Sequence, residues 1–187
     1  MILVRHAETD WTGARFCGSA DLPLNAAGRR HADELAAQLA PTLPPGVRLV
    51  SSPLRRAVET ATAIARAAGG IDVTVDERWR EVDMGDVEGL TWDEAAARWP
   101  DLAATLASGP VDIGWPGGDA AGALTARVGA AWSDMSSNPR PAIVVSHGGP
   151  IRLALRLAGH GSVGEPPVVS PGGVIRVTLA DPARTGA

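Results

Sequence analysis

Residues 142–150 read AIVVSHGGP: four apolar residues, then Ser146 and His147, then two glycines and Pro150. An apolar run this short reads as a buried strand, and the Gly-Gly-Pro that follows starts a helix through about Leu157, since proline's fixed φ suits a first turn. The N-terminus repeats the arrangement: Met1 to Val4 is an apolar run, interrupted at its C-terminal end by Arg5 and His6. In parallel sheets ligands gather outside the carboxyl ends of the strands. Two adjacent strand ends would therefore bring His6 and His147 to one site despite their separation in sequence. Ala7 after the first, and Gly148 and Gly149 after the second, leave a ligand room to approach the backbone.

Outward from these two strands the chain alternates. Asn25 caps a helix running to about Ala40, with Ala32, Leu35, Ala36 and Leu39 on one face. Pro44, Pro45 and Gly46 break the chain before a second strand, Val47 to Val50. Ser52 and Pro53 read as the N-cap and first-turn proline of a helix to about Ala68, and Ile71 to Val75 as a third strand. Thr91 with Glu94 is a capping box, predicting a helix over 92–99. A Gly- and Pro-rich stretch at 108–118 precedes a helix over about 120–135, and Val174 to Leu179 is a last strand. Strands alternating with helices predict an α/β fold: a three-layer α/β/α sandwich with a mainly parallel central sheet and helices on both faces.

Composition narrows the class. A chain of 187 residues predicts one domain, 1–187. It buries roughly 70% of its unfolded surface and needs no disulfide or metal staple. Apolar residues at 45% and charged residues at 20% exclude a disordered chain. No apolar run approaches the roughly 20 residues that span a bilayer, so no membrane partner is expected. MILVRHAETD does not read as a signal peptide, and Cys17 alone forms neither an internal disulfide nor a cysteine-based zinc site. A cytoplasmic location follows as an expectation. Net charge is −4, without a basic block, so no nucleic-acid partner is expected. All 17 basic residues are Arg, in keeping with a composition rich in Ala, Gly and Pro. Any anion held by cationic side chains is thus held by guanidinium, which matches paired oxygens, or by charged imidazole.

Arg5 puts fixed positive charge beside His6. Arg55 and Arg56 fall in the first turn of the helix after Ser52-Pro53, where free N–H groups and the helix dipole favour an anion. Adjacent helix positions point about 100° apart, so one of the two faces a ligand and the other is solvated. Histidine, arginine and a helix N-terminus together favour phosphate over a carbohydrate or apolar ligand.

Four stretches, LVRHAET (3–9), SSPLRRAVETA (51–61), REVDMGDVEG (80–89) and VVSHGGPIR (144–152), resemble the histidine phosphatase superfamily. The branch is that of cofactor-dependent phosphoglycerate mutases, fructose-2,6-bisphosphatases and α-ribazole phosphatases. The resemblance runs from residue 1 to about 158, in the family's order. It implies a phosphoglycerate mutase-like fold with a helical cap insertion at about 86–120. It further implies that His6 is a nucleophile taking the phosphoryl group, that Arg5, Arg55 and His147 surround the phosphoryl oxygens with Gly148, and that Glu81 protonates the leaving oxygen. The chemistry agrees. Neutral imidazole is a nucleophile at neutral pH if its other nitrogen is held as a donor. Pre-placed Arg and His stabilise equatorial phosphoryl oxygens without a metal or cofactor. A departing alkoxide needs an acid. From the residues alone Glu81, Asp83, Asp86 and Glu88 are equal candidates for that acid.

Departures from the family pattern are local. Ala7 replaces a common Gly. Thr12 stands where an Asn commonly contacts phosphate, and its hydroxyl is expected to donate one hydrogen bond there. Gly117, Gly118, Asp119 and Ala120 replace Gly-Gly-Glu-Ser, keeping an acid and losing a hydroxyl. His31 and His160 are expected to be solvated, Cys17 an inert thiol bordering the site, and Trp92, Trp99 and Trp115 cap anchors or an aromatic wall for a flat leaving group. The expected partner is a small phosphorylated substrate, and the expected assembly a monomer or homodimer. Mutases carry extra basic residues that grip a substrate carboxylate, whereas only Arg98 lies between Arg80 and Arg127. That favours hydrolysis, by an α-ribazole phosphatase of cobalamin biosynthesis or a broad-specificity phosphatase. A mutase, a phosphohistidine protein phosphatase and a phosphoryl-binding regulator without turnover are the alternatives.

Overall fold

Alternation along a four-residue strand, β1 (Ile2–Arg5), sends Ile2 and Val4 into one hydrophobic core and Leu3 into a second. The computed structural model describes residues 1–109, 112–138, 140–160 and 169–178. Within them lie four further strands: β2 (Arg48–Ser51), β3 (Val73–Val75), β4 (Ala142–Ser146) and β5 (Val174–Arg176). They form one sheet in the order β3-β2-β4-β1-β5. The first four are mutually parallel and β5 runs antiparallel to β1 at the edge. The helices are α1 (Ala26–Leu39), α2 (Arg55–Ala67), α3 (Trp92–Arg98), α4 (Pro100–Ala107), α5 (Ala123–Ser137) and α6 (Gly148–Leu157).

The same alternation runs through every central strand. Leu49, Ile143 and Val145 join Ile2 and Val4 against α1 and α2, through Leu35, Leu39, Ala57, Ala61 and Ile64. Val50 and Val144 join Leu3 against α5 and α6, through Leu124, Val128, Ile151 and Leu155. Both faces are covered, as a parallel sheet requires. The three-layer sandwich read from the sequence is the fold of this chain. Its two cores lie on opposite faces of the sheet, so the central strands β2, β4 and β1 are covered on both sides. Their carboxyl ends sit side by side, with Arg5 paired to Ser146 and Ser51 to Val145.

Several boundaries differ from the sequence reading. The capping box holds, with Thr91 and Glu94 each bonded to the other's backbone N–H. A helix not read from the sequence, α4, begins at Pro100, because proline at N1 lacks only an N–H that a first turn leaves unpaired. Helix α2 begins at Arg55 rather than at Pro53, so Ser52 is not its cap. β3 starts at Val73, two residues later than expected, since Gly69 and Gly70 both have positive φ and the chain is still turning there. The last strand ends at Arg176 within the described residues; Leu179 lies outside them.

Asn25 is the N-cap of α1 as expected, its side-chain oxygen accepting the Gly28 N–H at 2.7 Å. Asn25→Ala is expected to lower unfolding free energy by about 1 kcal/mol in urea denaturation with an unchanged m-value. No shift in midpoint would mean that this cap does not hold the helix.

Candidate active site

The site is built on Arg56, which is fully buried. Its Nε–H points between two imidazoles, 3.3 Å from His6 Nε2 and 3.2 Å from His147 Nδ1. Its terminal nitrogens donate to the carbonyls of Ala20 (2.6 Å) and Gly18 (2.7 Å). Among the described residues no carboxylate pairs with it. A guanidinium only donates, so each ring nitrogen facing it must be an acceptor. That assigns both tautomers. His6 carries its proton on Nδ1, which donates to its neighbour's carbonyl, Ala7 O, at 2.7 Å, and Nε2 is bare. His147 carries its proton on Nε2 and donates to Ser52 Oγ at 2.6 Å. The ring centroids are 5.0 Å apart, close enough for one phosphoryl group to touch both.

The sheet sets this geometry. His6 N–H continues the β1–β4 ladder to Ser146 O at 2.9 Å, and Ser52 N–H continues the β2–β4 ladder to Val145 O at 2.9 Å. Three neighbouring strand ends thus deliver His6, His147 and Ser52. Burial, and then the charge of Arg56, push the His6 imidazolium down to about 3; the same two causes, in the same order, hold His147 well below the ordinary histidine range. Both rings are neutral at neutral pH. The Ala7 methyl is fully buried in the core under α1 and α2, and the Ala7 N–H donates to Thr60 Oγ1 at 3.2 Å.

Arg5 supplies a second cation. Its guanidinium packs over Gly148 and donates to Val169 O at 2.6 Å, while its buried Nε has no partner among the described residues. Glu81 lies across the N-terminus of α6. Its Oε2 accepts the Gly149 N–H at 3.3 Å and its Oε1 the Val82 N–H at 3.1 Å. A carboxyl, two guanidiniums and two bare imidazole nitrogens therefore converge around the start of one helix. Guanidiniums at a helix N-terminus can hold a tetrahedral oxyanion, a bare imidazole nitrogen can attack one, and a carboxyl can exchange a proton with it.

The family model for the histidine phosphatase superfamily, branch 1, matches residues 1–181. The chain belongs to the histidine phosphatase superfamily. As a member it is an enzyme of the phosphatase type. Phosphoglycerate mutase-like protein 4 of Arabidopsis thaliana is 35% identical over 161 residues, covering 81% of this chain and 67% of the relative. A mycobacterial glucosyl-3-phosphoglycerate phosphatase, solved in complex with VO3, is 30% identical with a TM-score of 0.76, covering 93% of this chain and 90% of the other. A phosphoglycerate mutase from Thermus thermophilus is 32% identical with a TM-score of 0.68, covering 92% of this chain and 89% of the other.

Two phosphate-contact residues expected from the resemblance are corrected. Arg55 is not at the site. Its side chain is 59% exposed and pairs with Glu59 at 3.8 Å, whereas Arg56 faces the two imidazoles. Thr12 turns its hydroxyl into its own loop, where Oγ1 accepts the Thr9 N–H at 2.9 Å and meets Thr9 Oγ1 at 3.2 Å. The helical period could have separated the two arginines. Arg55, Glu59, Thr62 and Arg66 recur on a polar stripe, whereas Arg56 recurs with the buried Thr60 and Ala63. Ser52, read as a cap, is the fully buried partner of His147, and its own Oγ accepts the Leu54 N–H at 3.3 Å. His31 is half-buried rather than solvated, its ring covering Gly172, which has no side chain to hold it off; His160 is exposed. Cys17 is half-buried beside Arg5, Arg56 and Glu81, and burial pushes its thiol up, so it is a protonated wall of the site rather than a nucleophile.

The two neutral histidines set a pH dependence. Each has a folded value below its ordinary 6.5, so between 6.5 and the folded value the unfolded chain binds the extra proton. Stability is complete above about pH 6.5 and declines as pH falls below it, because each imidazole takes up a proton in the unfolded chain before it does so in the fold. Urea unfolding at pH 7, 6 and 5 checks this. His147→Gln is expected to flatten the slope; an equally steep slope in that variant would show that His147 is not buried neutral.

Proposed function

We propose that this chain hydrolyses small phosphomonoesters through a phosphohistidine on His6, with no need of a metal or cofactor. The observation that carries the reading is the buried Arg56 guanidinium, without a carboxylate partner among the described residues, aimed between two imidazole nitrogens. A substrate phosphoryl group supplies the missing negative charge. Its oxygens meet Arg5 and Arg56, and meet His147 once its proton moves to Nδ1 and the Ser52 hydroxyl donates to Nε2. His6 Nε2 attacks phosphorus as the bond to the leaving oxygen breaks, and Glu81 gives that oxygen its proton. Water then attacks the N–P bond, the Glu81 carboxylate takes the water's proton, and phosphate and neutral His6 result.

The leaving group meets the cap. Phe16 stands 6.1 Å from Trp92 and 6.2 Å from Trp115, ring centre to ring centre, and Gly18, two residues on from Phe16, is tied to Arg56. Arg15, which lines a pocket with Phe16 and Trp92, and Arg98 are both engaged. Arg15 bonds Gly89 O at 2.6 Å and faces Glu94 at 3.6 Å, and the Arg98 guanidinium lies 4.4 Å from the Trp99 ring centre. An aromatic face with its cations so engaged suits a neutral, flat leaving group, such as the nucleoside of α-ribazole phosphate, or a broad range of such alcohols. It does not suit the carboxylate of phosphoglycerate, although relatives carry mutase names. The working partner is then a small phosphorylated molecule rather than nucleic acid or membrane, and no helix among the described residues is long and apolar enough to cross one. A reducing cytoplasm suits the single thiol, with the chain acting as a monomer or homodimer.

Glu81→Gln separates acid catalysis from binding. For an alkyl or nucleoside phosphate kcat is expected to fall roughly 10²–10⁴-fold with little change in KM. For p-nitrophenyl phosphate, whose leaving group needs no proton, the fall is expected to be far smaller. Equal losses on both would remove Glu81 as the acid. A panel containing α-ribazole phosphate and 3-phosphoglycerate ranks substrates by kcat/KM, and interconversion of phosphoglycerates faster than phosphate release would establish a mutase instead.

A further inference from the structure

Glu81 stands in a stretch with no helix or strand of its own. The 3-10 turn Glu77–Trp79 ends two residues before it and the next, Gly85–Val87, begins four residues after. Side chains from other elements hold the backbone instead. Arg127, on α5, donates from one terminal nitrogen to the carbonyls of Arg80 and Arg78, the latter at 3.1 Å. Beyond Glu81, Asp119 Oδ2 accepts the Asp83 N–H at 3.1 Å, and the Asp119 N–H donates to Asp83 O at 2.9 Å. Gly118 lies so close to the Asp83 backbone that a Cβ there would collide with it. The other terminal nitrogen of Arg127 faces Asp119 Oδ2 at 3.7 Å, with both side chains shielded, 23% and 28% exposed.

We propose that Arg127 and Asp119 form an ion-paired clamp that positions Glu81 for proton transfer, a proposal that rests on the reading of Glu81 as the acid. One arm holds the chain before Glu81 and the other the chain after it, and the ion pair ties the arms together. The carboxyl's own bonds do not place it: Val82 is its neighbour, and the Gly149 contact is long at 3.3 Å. An acid on an irregular loop must be held to within a fraction of an ångström, because a 1 Å error costs about 10²-fold. The clamp explains the retained acid in Gly117-Gly118-Asp119-Ala120. Asp119 grips the loop, and nothing in the clamp uses the lost hydroxyl. Arg127 and Asp119 are both positioning residues, since neither contacts the imidazoles.

Arg127→Met removes both arms' connection. Its kcat on an alkyl phosphate is expected to fall about 10- to 100-fold, with p-nitrophenyl phosphate and both KM values within about threefold. In the Glu81→Gln background the same change should cost the alkyl phosphate nothing more, because a misplaced acid and a missing acid are one loss. Asp119→Asn, which keeps an acceptor for Asp83 but breaks the ion pair, should show the same leaving-group pattern more weakly. Arg127→Lys serves if the Met variant does not fold, since it keeps the charge with one anchor. Equal losses on both substrates, or losses that add to Glu81→Gln, would overturn the clamp. If Glu81→Gln itself shows no leaving-group dependence, the acid assignment and the clamp both fall; if it does and the Arg127 variants do not, only the clamp falls.

Discussion

A guanidinium buried at the carboxyl end of the sheet, with no carboxylate partner among the described residues, is the constraint on which the rest of the site depends. Burying a charge costs several kcal/mol after relaxation, and a paired carboxylate is the usual remedy. Arg56 has instead only neutral acceptors: the carbonyls of Gly18 and Ala20 and two imidazole nitrogens. Each consequence follows from that choice. The Gly18–Ala20 loop must fold back over the sheet to present its carbonyls. His6 and His147 must be neutral and must turn a lone pair inward, which requires Ala7 O and Ser52 Oγ as partners on their far sides. In the proposed reaction the incoming phosphoryl dianion neutralises the charge left over, and a cost in the fold becomes selectivity for the ligand.

The layered fold was legible because the strands are short, apolar and regularly spaced, and because alternation along Ile2-Leu3-Val4 has only one way to serve two cores. The pairing of His6 with His147 was legible for the same reason, since both end strands that a parallel sheet sets side by side. What failed was resolution by one residue. The resemblance implies Arg55 at the phosphate, whereas α2 begins at Arg55 and its buried stripe runs through Arg56, Thr60 and Ala63. Ser52 was hidden because Ser followed by Pro is a good cap in isolation and the competing bond to His147 is a tertiary contact. Thr12 was placed by analogy with a longer side chain, and its shorter one closes on Thr9. Arg127 and Asp119 gave no local signal, since their partners are backbone groups 36 to 49 positions away.

The site therefore has two halves held by different means. His6, His147 and Ser52 are fixed by ladder hydrogen bonds and by the two cores on either side of the sheet, so their geometry is as rigid as the fold. Glu81 is held through its flanking backbone, by side chains reaching in from α5 and from the loop before it. A nucleophile needs a constant relation to phosphorus, which every phosphomonoester shares. An acid needs a relation to the leaving oxygen, whose position varies with the alcohol.

The same division continues outward. The cap helices α3 and α4 bury one side chain between them, Ala95, whereas the sheet carries fully buried residues on every central strand. Changing a cap residue thus costs little stability, while changing a strand-end residue costs both stability and chemistry. That asymmetry accounts for a chain whose strand-end histidines and Arg56 sit in one tight cluster while its cap presents its own set of aromatics. The two imidazoles and Arg56 sit in the most deeply buried part of the fold, and α3 and α4 in a far less buried part.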